Sequence, residues 1–228
     1  MSILFLFLVA DPTVGAAKLP LELRWATLAG CVRVTAGDTP GKFASAVCLG
    51  IRDQHAYLLS SAHAIPKDAA RVYEFFARDT YPTPVRTIVG GEIVVWLSEP
   101  DLALVKVPIG RDPVSVLKLA GPGKRPKRYP FDAVSVGCPD GLTPVCRAER
   151  VIGKKLVRRP GDTIAFFWEA EQAPVPGVSG GPLVTLDGRV IGVCAAASEG
   201  RAYFTHADEI LAALKTAGYG WLFTEETP

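Results

Sequence analysis

Short apolar runs separated by glycine and proline recur along most of this chain of 228 residues. Its 22 glycines and 19 prolines act as turn punctuation between the runs. This pattern predicts an all-β fold of many short strands, and the Asp187-Gly188 pair predicts a hairpin. The predicted strands are residues 31–35, 45–51, 56–60, 72–76, 92–97 and 102–107, followed by residues 133–138, 145–152, 163–169, 183–186, 189–195 and 202–204.

The most informative motif is PGVSGGP at residues 176–182. Glycines on both sides of Ser179 allow backbone dihedral angles that other residues avoid, so the N–H groups of Gly177 and Ser179 can converge on one point. Such donors stabilise the oxyanion of an acyl-transfer reaction, in which Ser179 would be the nucleophile. The alternative interpretation of an isolated motif of this kind is a glycine-rich surface turn.

A serine nucleophile needs a base, and the base needs a group that fixes its tautomer. The chain has three histidines. His55 precedes a strand in a predicted loop, and His206 lies where a C-terminal helix is predicted to begin, with Thr205 as its N-cap. His63 remains, at the end of the apolar run LLSSAHA. Asp101 directly precedes the strand LALVKV and is the predicted orienting group.

The order His63, Asp101, Ser179 and the surrounding motifs SSAHA, PDLALVKV and GVSGGPLV resemble the trypsin-like serine proteases of chymotrypsin fold. The resemblance covers about residues 31–206, and the segments VSVGCPDGL and GRVIGV are similar to the simpler bacterial branch of that family. It implies two six-stranded antiparallel β-barrels and a short C-terminal helix. It also implies an endopeptidase that acts through an acyl-enzyme, with Gly177 and Ser179 as the oxyanion donors.

This resemblance divides the chain into five parts. Residues 1–20 form an apolar segment and candidate signal peptide, and residues 21–116 form the first barrel with His63 and Asp101. Residues 117–130 are the linker, residues 131–206 form the second barrel with Ser179, and residues 207–228 form the C-terminal helix and tail. The alternative function is a catalytically inactive, protease-like module that binds a peptide in the same cleft.

The same resemblance locates the pocket for the side chain before the scissile bond. Its base would lie near Ala173 and Pro174, and its wall would be formed by Ala195, Ala196 and Ala197. No aspartate stands at this base to pair with a basic side chain. We therefore expect a preference for a small or apolar residue, although each methylene group discriminates by only about 1 to 3 kcal/mol.

Activation by proteolysis is not expected. Zymogen-type relatives carry an aspartate immediately before the nucleophile, where it pairs with a new amino terminus, but this chain has Val178 there. The only string that resembles such a terminus, IVGG at residues 88–91, lies between His63 and Asp101. Cleavage there would separate two members of the triad.

The remaining features indicate few other partners. The formal net charge is +2, and the basic clusters at residues 124–128 and 154–159 lack interleaved aromatic residues, so we expect solvated loops and no nucleic-acid partner. No histidine or cysteine cluster predicts a metal site, and no cofactor is expected. The apolar run at residues 2–10 is too short to span a membrane. It favours export slightly and leaves the compartment open. We expect a monomer.

Five cysteines, an odd number, do not fix the redox compartment. Cys138 and Cys146 flank a short turn that could bring them together if its strands pair. Cys31, Cys48 and Cys194 are predicted to be buried as small apolar residues.

Overall fold

The computed structural model describes residues 18–36, 42–111, 113–158 and 164–223. Most of the candidate signal peptide therefore lies outside the described residues. The described part contains two helices, α1 (Leu21–Ala29) and α2 (Ala207–Thr216). Its thirteen strands are β1 (Cys31–Ala36), β2 (Phe43–Arg52), β3 (His55–Ser60), β4 (Arg71–Phe75), β5 (Arg86–Val89), β6 (Glu92–Leu97), β7 (Leu102–Pro108), β8 (Phe131–Gly137), β9 (Val145–Arg158), β10 (Ile164–Ala170), β11 (Pro182–Val184), β12 (Val190–Ser198) and β13 (Arg201–His206).

The first seven strands form one antiparallel sheet in the order β5-β4-β1-β2-β3-β7-β6. Its inner face packs a cluster of buried side chains that includes Val34, Leu58, Tyr73 and Val105. The sheet has seven strands where a six-stranded barrel was predicted, because the unpredicted β5 pairs with β4. The all-β chymotrypsin-like fold class is confirmed.

The other six strands form a closed barrel in the order β10-β13-β12-β11-β8-β9. Its interior is filled by a second cluster in which Trp168, Leu183, Ile191 and Phe204 are buried. The indole N–H of Trp168 donates to the carbonyl of Ile191 at 2.7 Å, so this large buried side chain leaves no unpaired donor. This barrel agrees with the prediction.

The two sheets share a third buried cluster, which contains Leu59 and Leu104 from the first sheet and Val136 and Val193 from the barrel. The segment between the sheets is tied to both. Leu117 N–H donates to a carbonyl of β2, and the chain two residues further on forms a parallel bridge with Val190. The catalytic residues predicted from sequence therefore lie on two sheets with a common core.

Helix α2 confirms the predicted C-terminal helix, but the prediction of Thr205 as its N-cap is wrong. The N-cap is His206, whose Nδ1 accepts the backbone N–H of Asp208 at 3.0 Å. Thr205 lies within β13, paired with Val193, so its side chain does not reach the first turn of the helix. Its hydroxyl donates instead to the carbonyl of Pro100 at 3.2 Å.

All five cysteines are free and buried. The turn after β8 does not join Cys138 to Cys146, because the register of β8 and β9 places Cys146 opposite Val136. Burial is confirmed for Cys31, Cys48 and Cys194.

Candidate active site

His63 and Asp101 lie at one end of two neighbouring strands of the first sheet. β3 ends at Ser60, which pairs with Ala103 of β7, so residues just outside these positions come close together. His63 occupies a 3-10 turn at Ala62–Ala64. Asp101 has a φ of 66°, a left-handed conformation that aspartate adopts more readily than most residues. The pairing of β3 with β7 thus sets the distance between the two side chains.

The carboxylate of Asp101 holds His63 at two points. Its Oδ1 accepts the backbone N–H of His63 at 2.9 Å, and its Oδ2 lies 2.8 Å from the imidazole Nδ1. The Asp101 side chain is 6% exposed and that of His63 is 49% exposed. Because a carboxylate only accepts hydrogen bonds, Nδ1 carries the proton and Nε2 is an acceptor. An imidazole held in this tautomer can act as a general base.

Ser179 lies in the same cleft as His63. The cleft has a volume of about 580 Å³. It is lined by Lys42, Phe43, His63, Ala64, Pro66, Asp140, Pro176, Gly177 and Ser179. The structure therefore brings the predicted base, the predicted nucleophile and one predicted oxyanion donor around a single space.

Within the described residues, the backbone N–H groups of Gly177 and Ser179 donate to no protein acceptor. The carbonyl of Pro176 accepts the N–H of Asp140 at 2.8 Å. The C=O and N–H of a trans peptide point in opposite directions, so this bond turns the Gly177 N–H away from Asp140. Two unpaired donors beside a serine can stabilise a developing oxyanion.

Two positions of the serine loop need glycine, both because neighbouring atoms leave no room for a Cβ and because φ is positive there. Gly177 has a φ of 88°, and a Cβ there would lie 2.3 Å from the carbonyl oxygen of Cys138. Gly180 has a φ of 84°, and a Cβ there would lie 2.0 Å from the hydroxyl of Ser60. Any other residue at either position would displace the loop from its neighbours.

Val178 packs where zymogen-type relatives carry an aspartate. A Cβ added to Gly137 of β8 would lie only 2.7 Å from the Cβ of Val178. The side chain thus rests directly on the backbone of the barrel. Apolar packing at this point takes the place of an ion pair.

Arg147 braces the segment that leads into the serine loop. Its Nη1 donates to the carbonyl of Ala173 at 2.9 Å, and its Nη2 lies 2.6 Å from Oε1 of Glu149. Glu149 is buried and also accepts the hydroxyl of Ser135 at 2.6 Å. Burial raises the pKa of the Glu149 carboxyl, while the hydrogen bond from Ser135 and the charge of Arg147 act in the opposite direction.

The predicted pocket residues lie in several places. Pro174 lines a cavity of about 140 Å³ beneath the serine loop, together with Val175, Cys194 and Phe204. The Ala173 carbonyl is held by Arg147, as described above. The three alanines lie elsewhere. Ala195 packs on Phe167 and Tyr203, Ala196 lines a groove of about 300 Å³ beside those two rings, and Ala197 is exposed.

Cys194 is close to the site but is unsuited to be its nucleophile. Burial raises the pKa of its thiol to about 12, an effect increased by the negative charge of Glu149. The reactive form of a cysteine is the thiolate, which is scarce at neutral pH when the pKa is this high. Ser179 remains the candidate.

Sequence reasoning missed several residues of the site. Ser45 and Arg147 both contact the serine loop, and Cys194 and Phe204 line the cavity below it. The only sequence signal for Ser45 is a polar residue inside the apolar run FASAVCLG, and that signal is weak. Arg147 and Phe204 belong to strands whose pairing, not their local sequence, places them near Ser179.

Comparison with known proteins agrees with this geometry. The model of the trypsin-like peptidase domain family matches residues 44–193. The chain therefore belongs to the trypsin-like peptidase domain family, which makes it a serine-type endopeptidase with peptide or protein substrates. A search of curated proteins found no match. In the described part of the chain, no helix has the length and apolar character needed to cross a membrane.

Solved structures show the same fold. The active form of the Rv3671c protease from M. tuberculosis has a TM-score of 0.71 and 19% identity, over 96% of this chain and 91% of that one. Its inactive form has a TM-score of 0.69 and 21% identity, over 92% and 98%. A variant of the HtrA-type protease AlgW with a tripeptide has a TM-score of 0.68 and 19% identity, over 85% and 62%.

Proposed function

We propose that Ser179, His63 and Asp101 form a catalytic triad that hydrolyses peptide bonds through an acyl-enzyme. The observation that carries the proposal is the pair of hydrogen bonds that His63 donates to Asp101, beside the cleft that also contains Ser179. The proposed role of Asp101 accounts for the burial of its carboxylate, which is paired with the backbone N–H and the Nδ1–H of His63.

In this mechanism, Nε2 of His63 removes the proton from Ser179 as its Oγ attacks the carbonyl carbon of the substrate. The N–H groups of Gly177 and Ser179 stabilise the negative charge on the carbonyl oxygen. His63 then gives its proton to the leaving amine, which departs and leaves an ester on Ser179. Water, activated by the same imidazole, hydrolyses this ester. Asp101 keeps the imidazole in the required tautomer and stabilises its charged form.

The substrate would bind along the exposed edge of β12. In the described part of the chain, the ladder between β11 and β12 ends at Val193, so the edge of residues 195–198 on that side is open. An extended peptide can pair with such an edge through its backbone. The side chain before the scissile bond would then turn toward the apolar cavity beside Pro174, Cys194 and Phe204, which favours small or apolar residues.

Covalent labelling tests the nucleophile directly. A fluorophosphonate probe should modify the wild-type protein once, at Ser179, as located by peptide mass spectrometry. The Ser179→Ala variant should not react, whereas Ser115→Ala, which removes a serine of the segment between the sheets, should react as the wild type does. Folded protein that takes no label, and that binds peptides without cleaving them, would instead support the inactive binding module.

Cleavage of a peptide library tests the substrate preference separately. We expect alanine, valine and similar residues before the scissile bond. A profile dominated by lysine, arginine, aspartate or glutamate would contradict the apolar pocket and leave the triad untouched.

A further inference from the structure

Ser45 of β2 joins the two sheets at the serine loop through hydrogen bonds. It is fully buried. Its backbone N–H donates to the carbonyl of Ser179 at 2.8 Å. Its hydroxyl accepts the N–H of Cys138 at 2.8 Å and donates to the carbonyl of Gly177 at 2.9 Å. Its own carbonyl accepts the hydroxyl of Ser60 at 2.7 Å.

We propose that the Ser45 hydroxyl is a positioning group that holds the oxyanion hole in its active shape. The proposal rests on the proposed function, because it needs Gly177 to be an oxyanion donor. Ser45 does not line the cleft. It acts through the loop, by fixing the peptide groups on which the Gly177 N–H depends.

The geometry fixes two consecutive peptides. The carbonyl of Pro176 is held by the N–H of Asp140, and the carbonyl of Gly177 is held by the hydroxyl of Ser45. Cys138, which donates to that same hydroxyl, lies in the turn that contains Asp140. One side chain thus joins the turn to the loop, and the N–H of Gly177 lies between the two fixed carbonyls.

Both hydrogen bonds of the hydroxyl matter, because a hydroxyl can donate one bond while accepting another. Alanine at position 45 would leave a buried N–H on Cys138 and a partly buried carbonyl on Gly177 without partners. Unpaired buried groups are costly, so the loop would rearrange to satisfy them. Gly177 permits such a rearrangement, since glycine adopts many dihedral angles with little penalty.

A rearranged loop should harm the transition state more than substrate binding. The Gly177 N–H binds the oxygen more strongly as negative charge develops on it, whereas the open edge of β12 binds the substrate equally before reaction and in the transition state. Loss of Ser45 should therefore reduce kcat with little change in KM. A residue that served only the stability of the fold would alter the amount of active protein and leave the kcat of each active site unchanged.

The experiment compares Ser45→Ala with the wild type, using a peptide substrate cut by the wild-type protein and active-site titration to count competent molecules. We expect kcat per titrated site to fall roughly 10- to 100-fold, below the loss on removal of a whole oxyanion donor, with KM changed less than about threefold. Affinity for a peptide boronate, whose tetrahedral adduct places an oxygen in the hole, should fall by the same factor as kcat/KM.

Thr27→Val is the matched control. Thr27 is buried in α1, and its hydroxyl donates to the carbonyl of Leu23 at 2.7 Å. This variant also loses a buried hydrogen bond to a carbonyl, so it should be less stable while keeping its kcat and boronate affinity. Ser45→Thr retains the hydroxyl and should recover part of the activity. If Ser45→Ala does not fold, Ser45→Cys, with a weaker donor of similar size, should lower kcat in the same way.

The proposal is overturned if folded Ser45→Ala keeps its kcat, if the loss appears in KM alone, or if Thr27→Val loses as much kcat per site. Failure of the proposed function looks different. In that case the wild-type protein itself would not be labelled at Ser179.

Discussion

The two sheets hold their proposed catalytic groups in different ways. His63 and Asp101 both come from the first sheet, and each is fixed by the other and by the pairing of β3 with β7. Ser179 comes from the barrel, yet its carbonyl is bonded to Ser45 of the first sheet. The proposed base and its orienting group are thus assembled within one sheet, whereas the proposed nucleophile of the barrel is held from the other sheet.

The two groups therefore depend on different contacts for their positions. The contact between the imidazole and Asp101 lies within one sheet, whereas the proposed oxyanion hole depends on a hydrogen bond between the sheets. Other bonds cross the same boundary: the hydroxyl of Ser61 donates to the carbonyl of Cys194, and that of Thr205 donates to the carbonyl of Pro100. These two bonds lie next to His63 and Asp101 in sequence, whereas in the serine loop the carbonyls of Gly177 and Ser179 are themselves held across the boundary.

The largest effect should come from His63→Ala. Without the base, kcat should fall about a millionfold, as in other triads that act as a unit. Loss of the imidazole also leaves Oδ2 of the buried Asp101 carboxylate without its partner, so the free energy of unfolding should fall by roughly 1 to 3 kcal/mol. His55→Ala, a histidine of the same sheet outside the cleft, is the control and should retain full activity. Substantial turnover by His63→Ala would remove the imidazole from the mechanism.

Asp101→Asn should cost less, about ten-thousandfold in kcat. The amide N–H₂ of asparagine can face Nδ1 only if that nitrogen becomes an acceptor, which moves the proton to Nε2. The serine loop should be unaffected, so affinity for the boronate should fall far less than kcat. Asp53→Asn in the β2–β3 turn serves as the control for loss of one carboxylate. Equal losses in the two variants would show that charge, and not tautomer, is the cause.

Gly137→Ala tests how the barrel positions the serine loop. The new Cβ would lie 2.7 Å from the Cβ of Val178, so either the loop or β8 must shift. Such overpacking should lower the free energy of unfolding by roughly 1 to 3 kcal/mol, and displacement of the loop should reduce kcat. The double variant with Val178→Gly removes the Cβ and Cγ1 that the new methyl group would meet and leaves only the Cα, at 3.0 Å.

The double variant should recover part of both losses, as measured by denaturant unfolding and by kcat per titrated site. Additive losses would mean that the two side chains do not meet. If Gly137→Ala instead lowered kcat with normal boronate affinity, the change would have reached His63 and not the serine loop. That result would contradict the assignment of the base and the oxyanion donors to different sheets.

The sequence predicted the parts of the site that are written in contiguous motifs. The strands before His63 and after Asp101, and the glycines around Ser179, follow local patterns of alternation and turn residues. Ser45 had no such signal, because its hydroxyl binds a residue 132 positions away. Contacts at that separation depend on how the sheets dock.

Three elements differ from the sequence prediction, and each difference has its own cause. Helix α1 begins after Pro20 without a side-chain cap, so the usual start signal is absent. β5 is short and partly exposed, and it is a strand because it pairs with β4. The cap of α2 was assigned to Thr205 on residue preference, but β13 extends through that position. For β5 and for the cap of α2, strand pairing decided the outcome.

The smallest effect concerns His206, which lies in the barrel away from the cleft. Its ring packs against that of Trp168, with centroids 4.1 Å apart and ring planes inclined at 38°, and is almost fully buried. Burial lowers the pKa of His206 to about 4; the positive charges of Lys154 and Arg125 also lower it, while Asp208 raises it. The imidazole is therefore neutral in the folded protein at pH values where an unfolded chain binds a proton.

The sign follows from this difference. As the pH falls below about 6.5, the unfolded chain takes up a proton that folded His206 does not, so stability declines. Between pH 7 and 5.5 the free energy of unfolding should fall by roughly 1 kcal/mol on this account. His206→Asn keeps an acceptor at the N-cap, and its unfolding free energy should depend less on pH over this range. If the unfolding free energies of the wild type and His206→Asn changed with pH in parallel, His206 would have the same pKa in the folded and unfolded states. Its burial would then contribute nothing to the acid sensitivity of the protein.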